Sequence, residues 1–320
     1  MGNKRIPYTE IINIVLIAVA LAYLVYRLLI FDGYSAFFSH FHHCSLIDYG
    51  FLSAALFLFT VNILLESIKW KHLLHNVESI SIAEAQRQVY YGFLGAFVTP
   101  NRLGEFPTRA LLLRNSENFL KSVTLGFVGS FALVFTIEVL GFFSSFYFFT
   151  FLLHDVSHKV IVFSVYLVLV VCLVLLLIYF PKIWNAYADK LSAKPKQILG
   201  SVVALGYRKF FYICFLCFLR YCVFSLQLYC VLFFCGIHLS FFQAIISIPT
   251  YYALVSLMPS IPIADTIFRG SWAVIVFSFF TDNIAALAMT VFIIWVINTV
   301  FPMLVGMFIK VITSHHSVHP

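Results

Sequence analysis

"FVTPNRLGEFPTRALLLR", residues 97–114, places Arg102, Glu105, Arg109 and Arg114 among Pro100, Gly104 and Pro107, in a chain that is 62% hydrophobic and only 10% charged. So many charges and helix breakers must either lie outside the membrane or line something polar within it. That choice decides the fold.

The surrounding chain expects a lipid solvent. Its apolar content exceeds the roughly 45–50% usual in soluble domains, and 38 Phe and a mean hydropathy of +0.99 point the same way. Apolar runs of the roughly 20 residues needed to cross a hydrocarbon core occur at residues 11–31, 47–65, 123–151, 160–180, 210–239 and 284–309. The first of these follows Lys4 and Arg5 and contains small residues, yet it continues past Ala22 to Phe31, so it reads as an uncleaved span rather than a signal peptide.

Positive loops stay on the cytoplasmic side. With spans at these positions, all of the 20 Lys and Arg residues except Arg27, Lys159, Arg220 and Arg269 fall in the amino-terminal tail, between spans two and three, between spans four and five, or after span six. Both termini are therefore expected in the cytoplasm of a multi-pass protein of the cell membrane. The net charge of +7 expresses this bias and contact with anionic headgroups; nothing calls for nucleic acid.

The charged stretch then has a place. Ser81-Ile82-Ala83-Glu84 is a capping-box pattern, followed by an uncharged run from Gln88 to Asn101 that Thr99-Pro100 must interrupt. Such a helix is about 25 Å long at 1.5 Å per residue, marginal for a full crossing. With cytoplasmic charge on both sides of it, the reading is a re-entrant hairpin, broken at Pro100 and Gly104, with Pro107 in the first turn of the returning arm.

The same arrangement recurs. Ser240-Phe241-Phe242-Gln243 offers a second capping box, and the step to Pro259 repeats the 19-residue step from Ser81 to Pro100. Pro259 and Pro262 interrupt the second run, and Asp265 precedes Arg269 by four residues as Glu105 precedes Arg109. The offset, 159 to 160 positions, is half the chain and places the first three spans on the last three. Three crossings per half force the second copy upside down, an inverted-topology arrangement. The expected fold is an all-α polytopic membrane protein, one domain over residues 1–320, with about six transmembrane helices and two re-entrant hairpins. Residues 1–155 form one pseudo-repeat and residues 156–313 the inverted second, with a tail at 314–320.

Non-helical backbone at membrane depth needs protein cover or a wet cavity. The expected cavity is lined by Arg102, Glu105, Arg109, Asp265 and Arg269, each acid one helical turn from its arginine. Arginine's fork matches phosphate, which suggests a phosphate-bearing lipid headgroup as guest, a phospholipid or a polyprenyl-phosphate-linked lipid. Glu138 and Arg220 are further ionisable residues inside spans and candidates for coupling, against the plain alternative of interhelical ion pairs. No cofactor or metal is expected. The adjacent His42 and His43 in "HFHHC" are poorly spaced for joint ligation, and Cys214-x-x-Cys217 lies in an apolar run without further ligands.

The segment Pro100-Asn101-Arg102-Leu103-Gly104-Glu105, with Arg109, Arg220-Tyr221, Phe224, Gln227, the run from Pro259 to Gly270, Trp295, Asn298 and Pro302, resembles the transmembrane, flippase-like domain of the lysylphosphatidylglycerol synthase family. The resemblance implies a protein that moves or helps process a lipid headgroup across the membrane. Two departures set this chain apart: its arginine follows the glutamate by four residues rather than three, and "MPSIPIADTIFRG" lacks the family's paired glycines and glutamate. With only residues 314–320 beyond the last span, an aminoacyl-transferring domain is not expected, and the reading leans against an enzyme. The competing readings are a membrane-embedded transferase with a polyprenyl-phosphate donor, using Asp32 or Asp48, and a non-transporting scaffold for a separate glycosyltransferase. Protein partners left open are a second copy, a synthase or a glycosyltransferase.

Overall fold

In the computed structural model, residues 44–151, 192–258 and 265–316 are described, with isolated helical positions between 15 and 39 and between 164 and 182; of Asp265 only the backbone is described. The first and fourth expected spans, Pro259, Pro262, Asp32, and the histidines of "HFHHC" lie outside the described residues. All regular structure among the described residues is helical.

Among the described residues, four helical stretches are long and apolar enough to cross a membrane: Leu46–Leu74, Ser116–Thr150, Gly206–Phe234 and Ile284–Ile309. The first is helix α1 (Leu46–Leu74), opened by Ser45 and Asp48 in a reciprocal capping box. Its length corrects one sequence boundary. The apolar run stops at Leu65, but the helix continues for two more turns through Glu66 and Lys69, both buried. Those charges neutralise one another inside the protein, so they do not end the helix, and Lys69 is not a loop residue.

Helix α2 (Ile82–Val98) starts at the Ser81–Glu84 capping box, with Ser81 N donating to Glu84 at 2.8 Å and Glu84 N to Ser81 Oγ at 3.1 Å. It ends where Thr99 takes an extended conformation before Pro100. The chain then turns through a short 3₁₀ segment, Pro100–Arg102, into α3 (Glu105–Ala110), which packs back along α2. Helix α4 (Phe119–Phe151) follows, then α5 (Ala193–Val203) and α6 (Gly206–Phe234), which ends before Gly236 in the left-handed region at φ +80°. Helix α7 (Phe241–Leu257) opens on the Ser240–Gln243 capping box. After the undescribed break come α8 (Asp265–Phe277), α9 (Ile284–Trp295) and α10 (Phe301–His316), the last two joined by a π-helical turn, Val296–Val300.

The core is built by three helix pairs. Helix α1 packs along α6, α7 along α4, and α10 along α2. Gln227 of α6 ties two of these layers, donating to the Ala55 carbonyl of α1 at 3.1 Å and accepting from Asn298 at 2.9 Å. Glycines set the closest approaches. A Cβ on Gly306 of α10 would strike the Tyr90 carbonyl of α2, and one on Gly141 of α4 would strike Ala253 and stand 3.3 Å from the Pro249 carbonyl of α7. Small residues let lipid-embedded helices approach where apolar attraction alone does not drive association.

Candidate functional site

The α2–α3 turn is fastened by Thr99, whose hydroxyl donates to the Gly95 carbonyl at 2.6 Å and accepts from Gly104 N at 2.8 Å. Gly92 and Gly95 give α2 a face without side chains, against which α3 lies directly. A Cβ on Gly95 would overlap Gly104 and Thr108, and one on Gly92 would sit 2.7 Å from Arg109 Cγ. At the tip, Asn101 and Arg102 both hold left-handed backbone, φ 51° and 57°. Asparagine tolerates that region; for arginine it is uncommon and costs free energy, and such strain concentrates at ligand-handling sites.

This turn delivers Arg109 into the interior. Its guanidinium is wholly buried, with Nη1 donating to Glu66 at 2.7 Å and Nη2 donating to Glu105, as the four-residue spacing led one to expect. It lies over the rings of Trp70 and Phe106, 5.3 and 5.6 Å from their centroids. Glu105 also accepts from Arg102 Nε at 3.0 Å, and Arg102 lies over Phe93 at 4.9 Å. Glu66 binds two more cations, Lys69 at 2.7 Å and Arg220 of α6, whose Nε donates to Asn62 at 2.8 Å.

Sequence reading placed Arg102, Glu105 and Arg109 together and singled out Arg220, and the structure joins all four. It missed the residue that unites them. Glu66 is 4% exposed and serves Lys69, Arg109 and Arg220 at once. The cluster holds four cations, Lys69, Arg102, Arg109 and Arg220, against two carboxylates, Glu66 and Glu105. Arg109 Nε, meanwhile, is buried with no hydrogen-bond partner among the described residues. Only Arg102, with 40% of its side chain exposed, reaches toward solvent.

A pocket bounded by Glu78, Glu84, Arg87, Gln88 and Arg114 opens beside the start of α2. Its Gln88 accepts from Trp70 Nε1 at 2.7 Å, so Trp70 stands between this pocket and the Arg109 guanidinium. At the rim, Arg114 pairs with Glu84, and Glu78 accepts from the backbone N–H of Arg114 at 3.0 Å. The N–H of Ser81, with Arg114, holds the Glu84 carboxyl down at about 2.

The chemistry beside the end of α7 is different. Glu138 of α4 is 1% exposed and accepts from Ser256 Oγ of α7 through Oε1, while Oε2 has no partner among the described residues. It therefore makes no interhelical ion pair there, unlike Arg220. Beside Ser256 stands an aromatic group: Tyr252 packs on Phe224 at 4.7 Å and Tyr221 at 6.4 Å, and its hydroxyl donates to the Phe224 carbonyl at 3.1 Å. Arg269 is half-buried within electrostatic reach of Tyr252. Asp48 is engaged in the α1 capping box, and no group of metal-ligating side chains occurs among the described residues.

No curated protein and no solved structure matches the chain. A family model described as the lysylphosphatidylglycerol synthase TM region matches residues 11–306, nearly the whole sequence. By that match the chain is a membrane protein belonging to the lysylphosphatidylglycerol synthase transmembrane-region family.

Proposed function

We propose that this protein carries a lipid with a phosphate-bearing headgroup across the cell membrane, holding the headgroup between two re-entrant hairpins of an inverted repeat. The observation that carries this reading is the buried ion cluster. Desolvated charges are costly unless paired, and among the described residues two carboxylates serve three buried cations and the partly exposed Arg102, with Arg109 Nε unsatisfied in their midst. An anion with several oxygens is the guest that balances such a site. Arg102 at the strained tip is the group placed to meet it first, and the pocket at Arg87, Gln88 and Arg114 offers an approach from the side on which the positive loops lie, the expected cytoplasmic side.

The inverted repeat draws support from the packing. Exchanging the two halves maps the α1–α6 pair onto itself and exchanges α2–α10 with α7–α4. The glycine contacts exchange as well: Gly306 meets the carbonyl of Tyr90 and Gly141 that of Pro249, and those two residues are separated by the same 159 positions as the capping serines. The two ends of the path would be Arg102 with Arg109 and, on the opposite side, Arg269 with Asp265. A transferase reading on Asp48 has less behind it, because that carboxylate is occupied in capping a helix.

The test is translocation of acyl-labelled phosphatidylglycerol in proteoliposomes, with labelled phosphatidylcholine as control. Arg102→Ala, at a partly exposed position that leaves the core intact, and Arg109→Lys, which keeps the charge but loses the fork, are each expected to slow movement at least tenfold. Wild-type rates in both variants would defeat the proposal, and co-purification of a glycosyltransferase indifferent to both would favour the scaffold.

A further inference from the structure

We propose that the pocket at the start of α2 is a binding site in its own right for a phosphate ester, with the Gln88 amide at its floor and Arg87 and Arg114 at its rim. Its role as a first station for the carried guest rests on the anion-carrying reading; its occupancy does not.

Three parts of the chain converge on this pocket. Glu84, Arg87 and Gln88 lie three and four residues apart, on one face of the first turns of α2. Leu112 and Arg114 come from the segment after α3, and Glu78 and Ile80 from the link between α1 and α2. Glu78 ties these two connections together, accepting from the backbone N–H groups of Arg114 at 3.0 Å and Asn115 at 3.4 Å, and Asn118 Nδ2 adds a bond to the Val77 carbonyl at 3.2 Å. The cavity so framed holds about 110 Å³, where a single water needs roughly 10–15 Å³ on the same measure.

The balance of donors and acceptors selects the guest. Both carboxylates are occupied, Glu78 by the two backbone N–H groups and Glu84 by Ser81 N and Arg114. The spare groups are donors. Gln88 is 4% exposed, and its one hydrogen bond among the described residues is the bond that Oε1 accepts from Trp70 Nε1 at 2.7 Å. That bond fixes the amide, oxygen toward Trp70 and Nε2 away from it. Nε2 has no partner among the described residues, yet it is not sealed in as Arg109 Nε is, so it opens on the cavity that Gln88 lines. A donor held this deep without an acceptor costs free energy that a ligand recovers. Arg87 is exposed and makes no ion pair among the described residues, and Arg114, with 72% of its side chain exposed, pairs there with Glu84. A guest that accepts from a neutral amide below and from two guanidinium groups above is an oxyanion, and the planar fork of arginine matches phosphate. The apolar wall of Ile80 and Leu112 meets the carbon side of an ester and not a second charge. Two sources supply this chemistry, a phospholipid headgroup at the membrane surface and a small soluble phosphate ester.

Binding is measured by calorimetric titration of the full chain in phosphatidylcholine nanodiscs, with dihexanoyl phosphatidylglycerol and glycerol 3-phosphate as probes. Binding of the lipid alone assigns the site to a headgroup, and binding of both assigns it to soluble esters as well; binding of neither overturns the proposal. Arg87→Ala, at an exposed position, is expected to weaken the affinity about tenfold, the worth of one charge-assisted hydrogen bond. Gln88→Glu keeps the acceptor for Trp70 but turns the donor facing the cavity into an acceptor, and should abolish binding. Should that variant fold poorly, Arg87→Ala decides alone. Glu84→Gln retains the helix cap, releases Arg114 and removes a repelling charge, so it should tighten binding several-fold, whereas a purely structural rim would lose affinity. Arg102→Ala separates this pocket from the Arg109 cluster: it should slow translocation and leave pocket binding as in wild type. An affinity that Arg87→Ala leaves unchanged overturns the pocket site while the anion-carrying reading stands. Pocket binding in a protein that moves no lipid defeats that reading and leaves the site in place.

Discussion

Helices α2 and α7 share one backbone plan. Each has 17 residues, opens on a serine capping box, and ends on a residue in the extended region, Thr99 at φ −113° and Met258 at φ −87°, immediately before proline. What surrounds their far ends differs. Phe97, near the end of α2, meets Trp295, whereas Ser256, 159 positions later, meets Glu138. Beyond the first break the chain enters a crowded ion cluster; ahead of the second, Ser256 meets a buried acid, one oxygen of which has no partner among the described residues. Two helices on one plan therefore carry unlike chemistry at their far ends, and the transport proposed above would have a direction.

The sharpest way to break this comparison is to remove matching arginines. Arg109→Ala takes one buried cation from both Glu66 and Glu105, and breaking a buried ionic cluster by deleting one partner costs about 3–5 kcal/mol. Arg269→Ala, at a half-buried position, should cost about 1 kcal/mol or less. Denaturant titration of both variants measures the difference. Equal losses would mean that the two arginines are held alike and that the surroundings of the two breaks do not differ in energy.

A smaller effect tests what the halves have in common. Gly306→Ala drives a methyl into the Tyr90 carbonyl, and Gly141→Ala drives one into Ala253. Overpacking of this kind costs about 1–3 kcal/mol, and the two variants should lose similar amounts in thermal unfolding. Gly50, where an added Cβ meets nothing within 4 Å, is the control, and Gly50→Ala should gain up to about 1 kcal/mol from helix propensity. If one glycine of the pair tolerates alanine as Gly50 does, the exchange of contacts between halves loses its energetic basis.

The features shared by the halves were the legible ones. Capping serines, prolines and the Glu105–Arg109 spacing are local signals with fixed geometry, and the capping boxes and the ion pair formed as their residues required. What escaped was non-local. Glu66 and Lys69 looked like the end of a span, because a hydropathy window sees charge without its partners; those partners sit 43 and 154 positions away. A signal was present even so: Asn62, Glu66, Lys69 and Trp70 recur at helical spacing and mark one polar stripe on an apolar helix. Gly92 and Gly95 likewise announce a close approach without saying to what. The π-helical turn at Val296–Val300 has no sequence signature of this kind, since it arises from one extra residue accommodated within a packed helix.

The mildest test makes one hairpin start identical to the other. The first capping box uses Glu84 where the second uses Gln243, so Glu84→Gln rewrites α2 in the terms of α7. The amide still accepts from Ser81, but the charged pair with Arg114 is lost, and because water screens so exposed a pair its loss is expected to be the smallest of these effects. The sign with pH is fixed by linkage. The folded protein holds this carboxyl at about 2, below its ordinary 4.5, so its contribution is complete above pH 4.5 and drains away as the pH falls toward 2. Wild type should lose stability through that window relative to Glu84→Gln, and the two curves should converge at its acid end. A loss at neutral pH as large as that of Arg109→Ala would place the anchoring of the first hairpin at its start and not in the buried cluster, and would move the asymmetry between the halves to the membrane surface.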